Sequence, residues 1–261
     1  MKGKLFLIVA LISLFGISAF SQNTRIKNNN DIGWYNYFGT FKVAKKFSIH
    51  SEYQWRRNNY ITDKQQGLLR LGLNYQANTK MLLRFGYAWI ETYPYGDISI
   101  NGMGKDFTEH RIFEMITIND KISKFELSHR FMLEQRFVGR YTKPELTKED
   151  DFLFLNRFRY MFRIQMPLIG TEIKNNTPYI AAYDEVFIGF GKNVNENIFD
   201  QNRLGILLGY KFNTNFKIEA GYLNQRLQLG REVSGFNVFQ SNNGIIINTL
   251  INLDFTNKKI K

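Results

Sequence analysis

The residues of this chain with catalytic potential are its three histidines, the serine beside one of them, and a short acidic loop. A serine hydrolase needs a histidine within hydrogen-bond reach of a serine, with a third group to orient the ring. Ser128 and His129 are neighbours, but successive residues of a strand face opposite ways, so they cannot pair. His129 sits on the apolar side of its run, whereas His50 shares a face with Glu52 and reads as a structurally satisfied imidazole. "KEDD" (148–151) reads as a solvated loop in preference to a divalent-ion site or an acidic protease pair. No HExxH, phosphate-binding loop or dinucleotide fingerprint is present, and no helix follows the glycines of "GDISINGMG" (96–104). With no cysteine, disulfide and thiolate chemistry are excluded. No enzymatic activity, cofactor or metal is expected.

The arginines are arranged more systematically. In "NRFRYMFRIQ" (156–165), Phe158, Tyr160, Phe162 and Ile164 alternate with Arg157, Arg159, Met161, Arg163 and Gln165. That is the two-residue period of a strand with one apolar and one polar face. The scheme recurs. Phe47, Ile49, Tyr53 and Trp55 oppose His50, Glu52 and Arg56. Leu69, Leu71 and Leu73 oppose Arg70, and Leu83, Phe85 and Tyr87 oppose Arg84. Phe125, Leu127, Phe131 and Leu133 oppose Glu126, Arg130, Glu134 and Arg136. Glu185, Arg203 and Glu219 take the polar positions of later runs. Two readings fit. Neighbouring strands lie less than about 5 Å apart, so these groups could form cross-strand ion pairs that fill an interior. Because the polar-face arginines outnumber the carboxylates, Asp254 included, they could instead form an anion-favouring constriction.

The elements that carry these residues are long. Strand-like runs fall near 31–43, 46–58, 65–76, 80–92, 107–118, 124–138, 151–166, 177–190, 201–212, 215–228 and 243–255. No face can be assigned to 107–118. Tight turns at 44–45, 77–79, 119–121 and 213–214 alternate with longer polar breaks at 59–64, 93–106, 139–150, 191–200 and 229–242. The turn at 167–176 is long for its side. The first 21 residues differ: Lys2 and Lys4, the apolar "LFLIVALISLFG" (5–16) and the small Ala19 and Ser21 read as a cleaved export signal. A soluble β-sandwich or lipocalin-like barrel would also alternate. Four features point instead to a transmembrane barrel: strand length, the short-turn and long-loop asymmetry, aromatics near run ends (Trp34, Tyr35, Tyr37, Trp55, Trp89), and the export signal. The 35 Lys and Arg against 23 Asp and Glu are scattered singly, so nucleic acid is not an expected partner.

"HRFMLEQRF" (129–137), "NRFRYMFRIQMPL" (156–168), "PYIAAYDEVFIGFG" (178–191), "FDQNRLGILLGYKF" (199–212) and "EAGYLNQR" (219–226) occur in an order that resembles the domain of unknown function 2490 family. The resemblance spans about Trp34 to Phe255. It implies an outer-membrane β-barrel of the type found largely in Bacteroidetes, and no established activity, so it brings no catalytic residues with it.

The combined expectation is an all-β chain forming a single antiparallel transmembrane barrel of about 12 strands, with 10 as the fallback. A polar segment at 22–30 precedes the barrel at 31–255, and a short basic tail follows at 256–261. The protein is placed in the outer membrane of a diderm bacterium. The leading function is a small or gated pore for polar, anionic solutes. The alternative is a structural or ligand-binding barrel closed by ion pairs, with an outer-membrane enzyme third. Outer-membrane lipid, lipopolysaccharide at the loops and the barrel-assembly machinery during biogenesis are the expected partners.

Overall fold

The computed structural model describes residues 25–194 and 197–256. The export segment 1–21 and tail residues 257–261 lie outside the described residues. Eleven strands make up the described chain: β1 (Arg25–Lys42), β2 (Phe47–Asn58), β3 (Asp63–Gln76), β4 (Met81–Thr92), β5 (Phe107–Ile122), β6 (Phe125–Arg140), β7 (Asp151–Pro167), β8 (Thr177–Phe190), β9 (Phe199–Lys211), β10 (Phe216–Val233) and β11 (Phe236–Asp254). Each pairs with the next in sequence, and β1 pairs with β11 to close one barrel. That closing pair is parallel, in unbroken register from Arg25 opposite Asn237 to Lys42 opposite Asp254. An odd strand count requires it, because an even number of reversals leaves the first and last strands running the same way.

The barrel therefore has eleven strands, between the expected twelve and the fallback of ten. Of the polar segment 22–30, the described residues 25–30 lengthen β1 and pair with 237–242. Two expected breaks are also strand. Asn119, Asp120 and Lys121 pair with Ser128, Leu127 and Glu126, and the chain reverses at Ser123 and Lys124, with Ser123 at φ 55°. Instead of a long loop over 229–242, β10 and β11 continue to a hairpin at Ser234-Gly235. Both residues have positive φ (52° and 77°), as the two-residue turn that matches strand twist requires. Polarity concealed the first of these strand ends, at 119–121.

Turns 43–46, 77–80, 123–124, 168–176 and 212–215 share one rim, the turn rim. Connections 59–62, 93–106, 141–150, 191–198 and 234–235 share the other, the loop rim. Alternation gives the barrel an apolar outer surface, with Leu71, Leu73, Phe85, Trp89, Phe158, Ile206, Leu208 and Ile245 among its exposed side chains. Near the closing seam, Ile32, Trp34, Tyr179, Ala181, Leu207, Leu223 and Ile246 form an apolar cluster against which Ile173 of turn 168–176 packs. Trp34 is therefore an interior residue, 3% exposed, and not an interfacial aromatic; it has the strand parity of Ile32 and Asn36, and its indole N–H donates to Gln65 (2.8 Å).

Two glycines set the packing depth. A Cβ on Gly205 or Gly209 would come within 2.2 Å of the ring of Tyr183 or Tyr179. Without one, each tyrosine of β8 lies flat across β9, and the Tyr179 hydroxyl reaches Glu219 on β10 (2.8 Å).

Candidate functional site in the barrel interior

The interior charges converge on Glu134 of β6. It is fully out of water (0%) and accepts from Arg157 Nε (2.7 Å) and Arg159 Nη1 (2.8 Å) of β7, with Arg111 of β5 at 3.7 Å. Arg159 also donates to Glu185 of β8 (2.8 Å), which holds Arg130 (2.8 Å). Arg111 and Arg136 share Glu109 (2.5 and 2.6 Å), and Arg157 reaches Asp200 of β9 (2.6 Å), with Arg136 3.8 Å from the same carboxylate. The result is a continuous ladder of alternating sign over β5 to β9. The Phe187 ring lies against two of its guanidiniums, Arg159 (4.4 Å) and Arg157 (5.1 Å), and against that of Arg203 (4.6 Å). Such cation–π contacts strengthen when desolvated.

Two smaller groups stand apart. On β2 and β3, Arg70 donates to Glu52 (2.7 Å), which also meets His50 Nε2 (3.1 Å). Toward the turn rim, Arg163 donates to Glu219 (2.5 Å), which also accepts from Tyr179 and Asn248, while Glu126 accepts from Gln165 (2.7 Å). Arg56, Arg84 and Arg203 have only amide hydrogen-bond partners. Arg56 binds Gln54 and Gln66, Arg84 binds Asn74 (2.6 Å), and Arg203 binds Gln201 (3.0 Å). The structure thus brings the charged positions of 107–118 and 124–138 together with those of 156–165, and leaves these three arginines outside the ladder.

Asp254 departs from its expected interior role. It is exposed at the turn rim and pairs with Lys42 (2.8 Å), because β11 ends there. Glu109, Arg111 and Asp200 were not read from sequence. The inward face of β5 runs Phe107, Glu109, Arg111, Phe113 and Met115, so it mixes oil and charge and defeats a polarity test. Pairing across the β5–β6 hairpin would have placed Arg111 opposite Arg136, and hence inward. The other two histidines face outward: His110 Nδ1 meets the Tyr87 hydroxyl (2.6 Å) and His129 Nδ1 that of Tyr160 (2.9 Å).

At the seam the interior is lined by amides. Asn30 donates to Asn242 (2.8 Å), Asn242 to Gln225 (3.0 Å), and Asn36 to Asn248 (2.9 Å). Loop 93–106 reaches across the mouth to this wall. Tyr95 donates to Gln240 (3.0 Å), Gln240 to the Ile98 carbonyl (2.6 Å) and Arg231 to that of Ser99 (2.7 Å), while Ile98 and Ile100 pack on Leu227, Leu229 and Val238. Burial pushes the Tyr95 phenol above its ordinary pKa. Gly96, at φ 65°, lets the loop backbone lie against Asn30. At the other rim the Lys121 ammonium holds Glu172 of turn 168–176 (2.6 Å) and lowers its carboxyl pKa.

Beside the docked loop a cavity of about 440 Å³ opens at the loop rim. Asn101, Met103, Asn193 and Val194 line its outer part, and Arg56, Arg111, Arg203 and Gln225 line it from the strands. Among the described residues, no group of three or more His, Asp or Glu could hold a metal ion.

No curated protein and no solved structure matches the chain. A family model described as "Protein of unknown function (DUF2490)" matches residues 32–233, a span from the middle of β1 to the end of β10 that takes in the whole charged ladder. The chain belongs to that DUF2490 family.

Proposed function

We propose that the protein is an outer-membrane β-barrel of a diderm bacterium that binds a ligand at its loop rim and does not conduct solutes through its lumen. The membrane part of this reading rests on the apolar outer face. The reverse orientation would put arginines such as Arg157 and Arg159 into hydrocarbon, at about 2–4 kcal/mol each near the midplane. The observation that carries the closed lumen is Glu134, with no water-accessible surface, beside Arg157 at 2%. Wall charges of an aqueous channel are hydrated, whereas here each carboxylate of the ladder is neutralised by guanidiniums of its own or neighbouring strands. Loop 93–106 and turn 168–176 narrow the two mouths further. The expected pore for anions is thus the weaker reading, and the alternative of a barrel closed by ion pairs is the stronger.

The test is single-channel recording of the folded mature protein in a planar bilayer. The expected result is no stepwise conductance from protein that migrates as a folded barrel on an unheated gel. Discrete, reproducible steps would restore the pore.

A further inference from the structure

We infer that the loop-rim cavity is a binding site for an organic acid: a molecule with one anionic group, held by Arg56 and Arg203, and an apolar body. The inference rests on the closed-barrel reading, in which this cavity is a dead-ended vestibule. Its volume of about 440 Å³ falls within the roughly 300–1,000 Å³ of small-molecule pockets.

The anionic end follows from charge placement. Of the other arginines lining the cavity, Arg111 and Arg136 are matched by Glu109, Arg157 by Asp200 and Glu134, and Arg140 by Asp151, while Arg231 is taken up by the loop carbonyls of Ser99 and Ile100. Among the described residues, Arg56 and Arg203 form no ion pair, and Glu185, opposite Arg203 in register, is already shared by Arg130 and Arg159. Both guanidiniums contact the Trp34 ring, with Cζ 3.8 and 4.8 Å from its centroid, so two like charges gather at one indole. Arg56 is 6% exposed and has glutamine partners only. Arg203 uses Nε on Gln201, and Phe187 supports its other side. Side-chain amides orient a guanidinium without neutralising it. A pair of oriented guanidiniums on a flat apolar support suits a carboxylate or other planar anion, which can accept charge-assisted hydrogen bonds from both.

The apolar body follows from the rest of the lining. Phe107, Leu153, Leu155, Leu227 and Leu229 reach the same cavity from β5, β7 and β10, and Gln65, Gln225 and Gln228 offer neutral polar contacts between them. A small inorganic ion would leave that apolar wall empty. A neutral ligand would leave the two arginines uncompensated.

The experiment is calorimetric titration of the full mature chain in lipid nanodiscs with 4-phenylbutyrate, 4-phenylbutyramide and inorganic phosphate. One saturable site is expected for the acid, with the amide and phosphate each at least about tenfold weaker. Arg56→Gln and Arg203→Gln should each weaken the acid by about tenfold and leave the amide unchanged, and added salt should weaken the acid alone. Arg84→Gln, which touches no part of the cavity lining, should bind as wild type. Equal binding of acid and amide, phosphate as tight as the acid, wild-type affinity in the Arg56→Gln/Arg203→Gln pair, or no saturable heat from any of the three probes would each overturn the site. Where the glutamine variants fail to fold, protein carrying Trp55→Phe and Trp89→Phe leaves Trp34 as its sole tryptophan. Its emission should change with the acid and not with the amide, and an unchanged emission overturns the proposal. Conductance steps, by contrast, would sink the closed barrel, which the titration does not read.

Discussion

The two walls of the interior are built from different chemistry. From β5 to β9 the wall is ionic, with every carboxylate of the ladder shared between guanidiniums from at least two strands. At the closing seam of β1, β10 and β11 it is mainly amide, lined by Asn28, Asn30, Asn36, Gln225, Gln240, Asn242 and Asn248, with Glu219 as the carboxylate that Asn248 meets. Removing one member of a buried ion pair leaves a bare charge, which costs about 3–5 kcal/mol. An amide carries both donor and acceptor, so an amide wall left without a partner costs about 1–3 kcal/mol for each unsatisfied group. The seam joins the two ends of the chain and is the one pair no hairpin brings together. Neutral, self-complementary side chains there tolerate a separated seam far better than a half-formed charge ladder would. The difference teaches that strength is concentrated where hairpins secure the register, and tolerance where nothing local does.

Glu134→Ala should break the ionic wall at its centre, because Arg157, Arg159 and Arg111 lose their shared acceptor together. A loss of about 3–5 kcal/mol is expected, read as a lowered urea midpoint for the folded band on unheated gels. A loss below about 1 kcal/mol would mean that water already reaches the ladder. Asn242→Leu removes the amide that joins Asn30, Gln225 and Tyr95, and should cost about 1–3 kcal/mol in the same assay. If it costs as much as Glu134→Ala, the contrast between the walls is false. The smallest effect belongs to the exposed pair Lys121–Glu172 at the turn rim, where Lys121→Ala should change stability by about 1 kcal/mol or less. Lys121 lowers the Glu172 pKa, so the contact is fully present above the ordinary carboxylate range and lost as pH falls through the depressed value. Amide protection of turn 168–176, measured relative to the intrinsic exchange rate at each pH, should therefore fall on acidification in wild type and already be low in Lys121→Ala at neutral pH.

Much of the barrel was legible because the two-residue period survives wherever one face is oil and the other charge, as in β2, β6 and β7. It failed where the faces were mixed. The interior of β5 places Phe113 and Met115 beside Glu109 and Arg111, so no face could be assigned. It failed again where the chain is largely polar, as in residues 25–30, and at the β10–β11 tip, where Leu229, Val233, Phe236 and Val238 flank the Ser234-Gly235 turn and were taken as part of a long loop. Of the charged positions singled out from sequence, Glu52, Arg56, Arg70, Glu134, Arg157, Arg159, Glu185 and Glu219 are buried in the structure, but their pairings were not readable. Which carboxylate serves which arginine depends on register, and the register of β5 against β6 turned on a hairpin two residues later than its sequence suggested. The amide wall was missed because Gln240 and Asn242 were read as loop and Asn28 and Asn30 as a polar segment ahead of the barrel. The vacant pair on Trp34 was missed because that tryptophan was assigned to the outside.

The parallel seam has one more result. Because β1 starts at the loop rim and β11 finishes at the turn rim, Arg25 and Asp254 lie at opposite ends of the barrel. An even-stranded barrel can be circularly permuted by tying its neighbouring ends with a few residues. This one cannot, because such a tether would have to run the full height of the wall or thread an interior packed with guanidiniums. The same geometry makes the two strand ends natural reporters of sidedness: labels attached just before β1 and just after β11 address opposite faces of whatever sheet of lipid the barrel occupies.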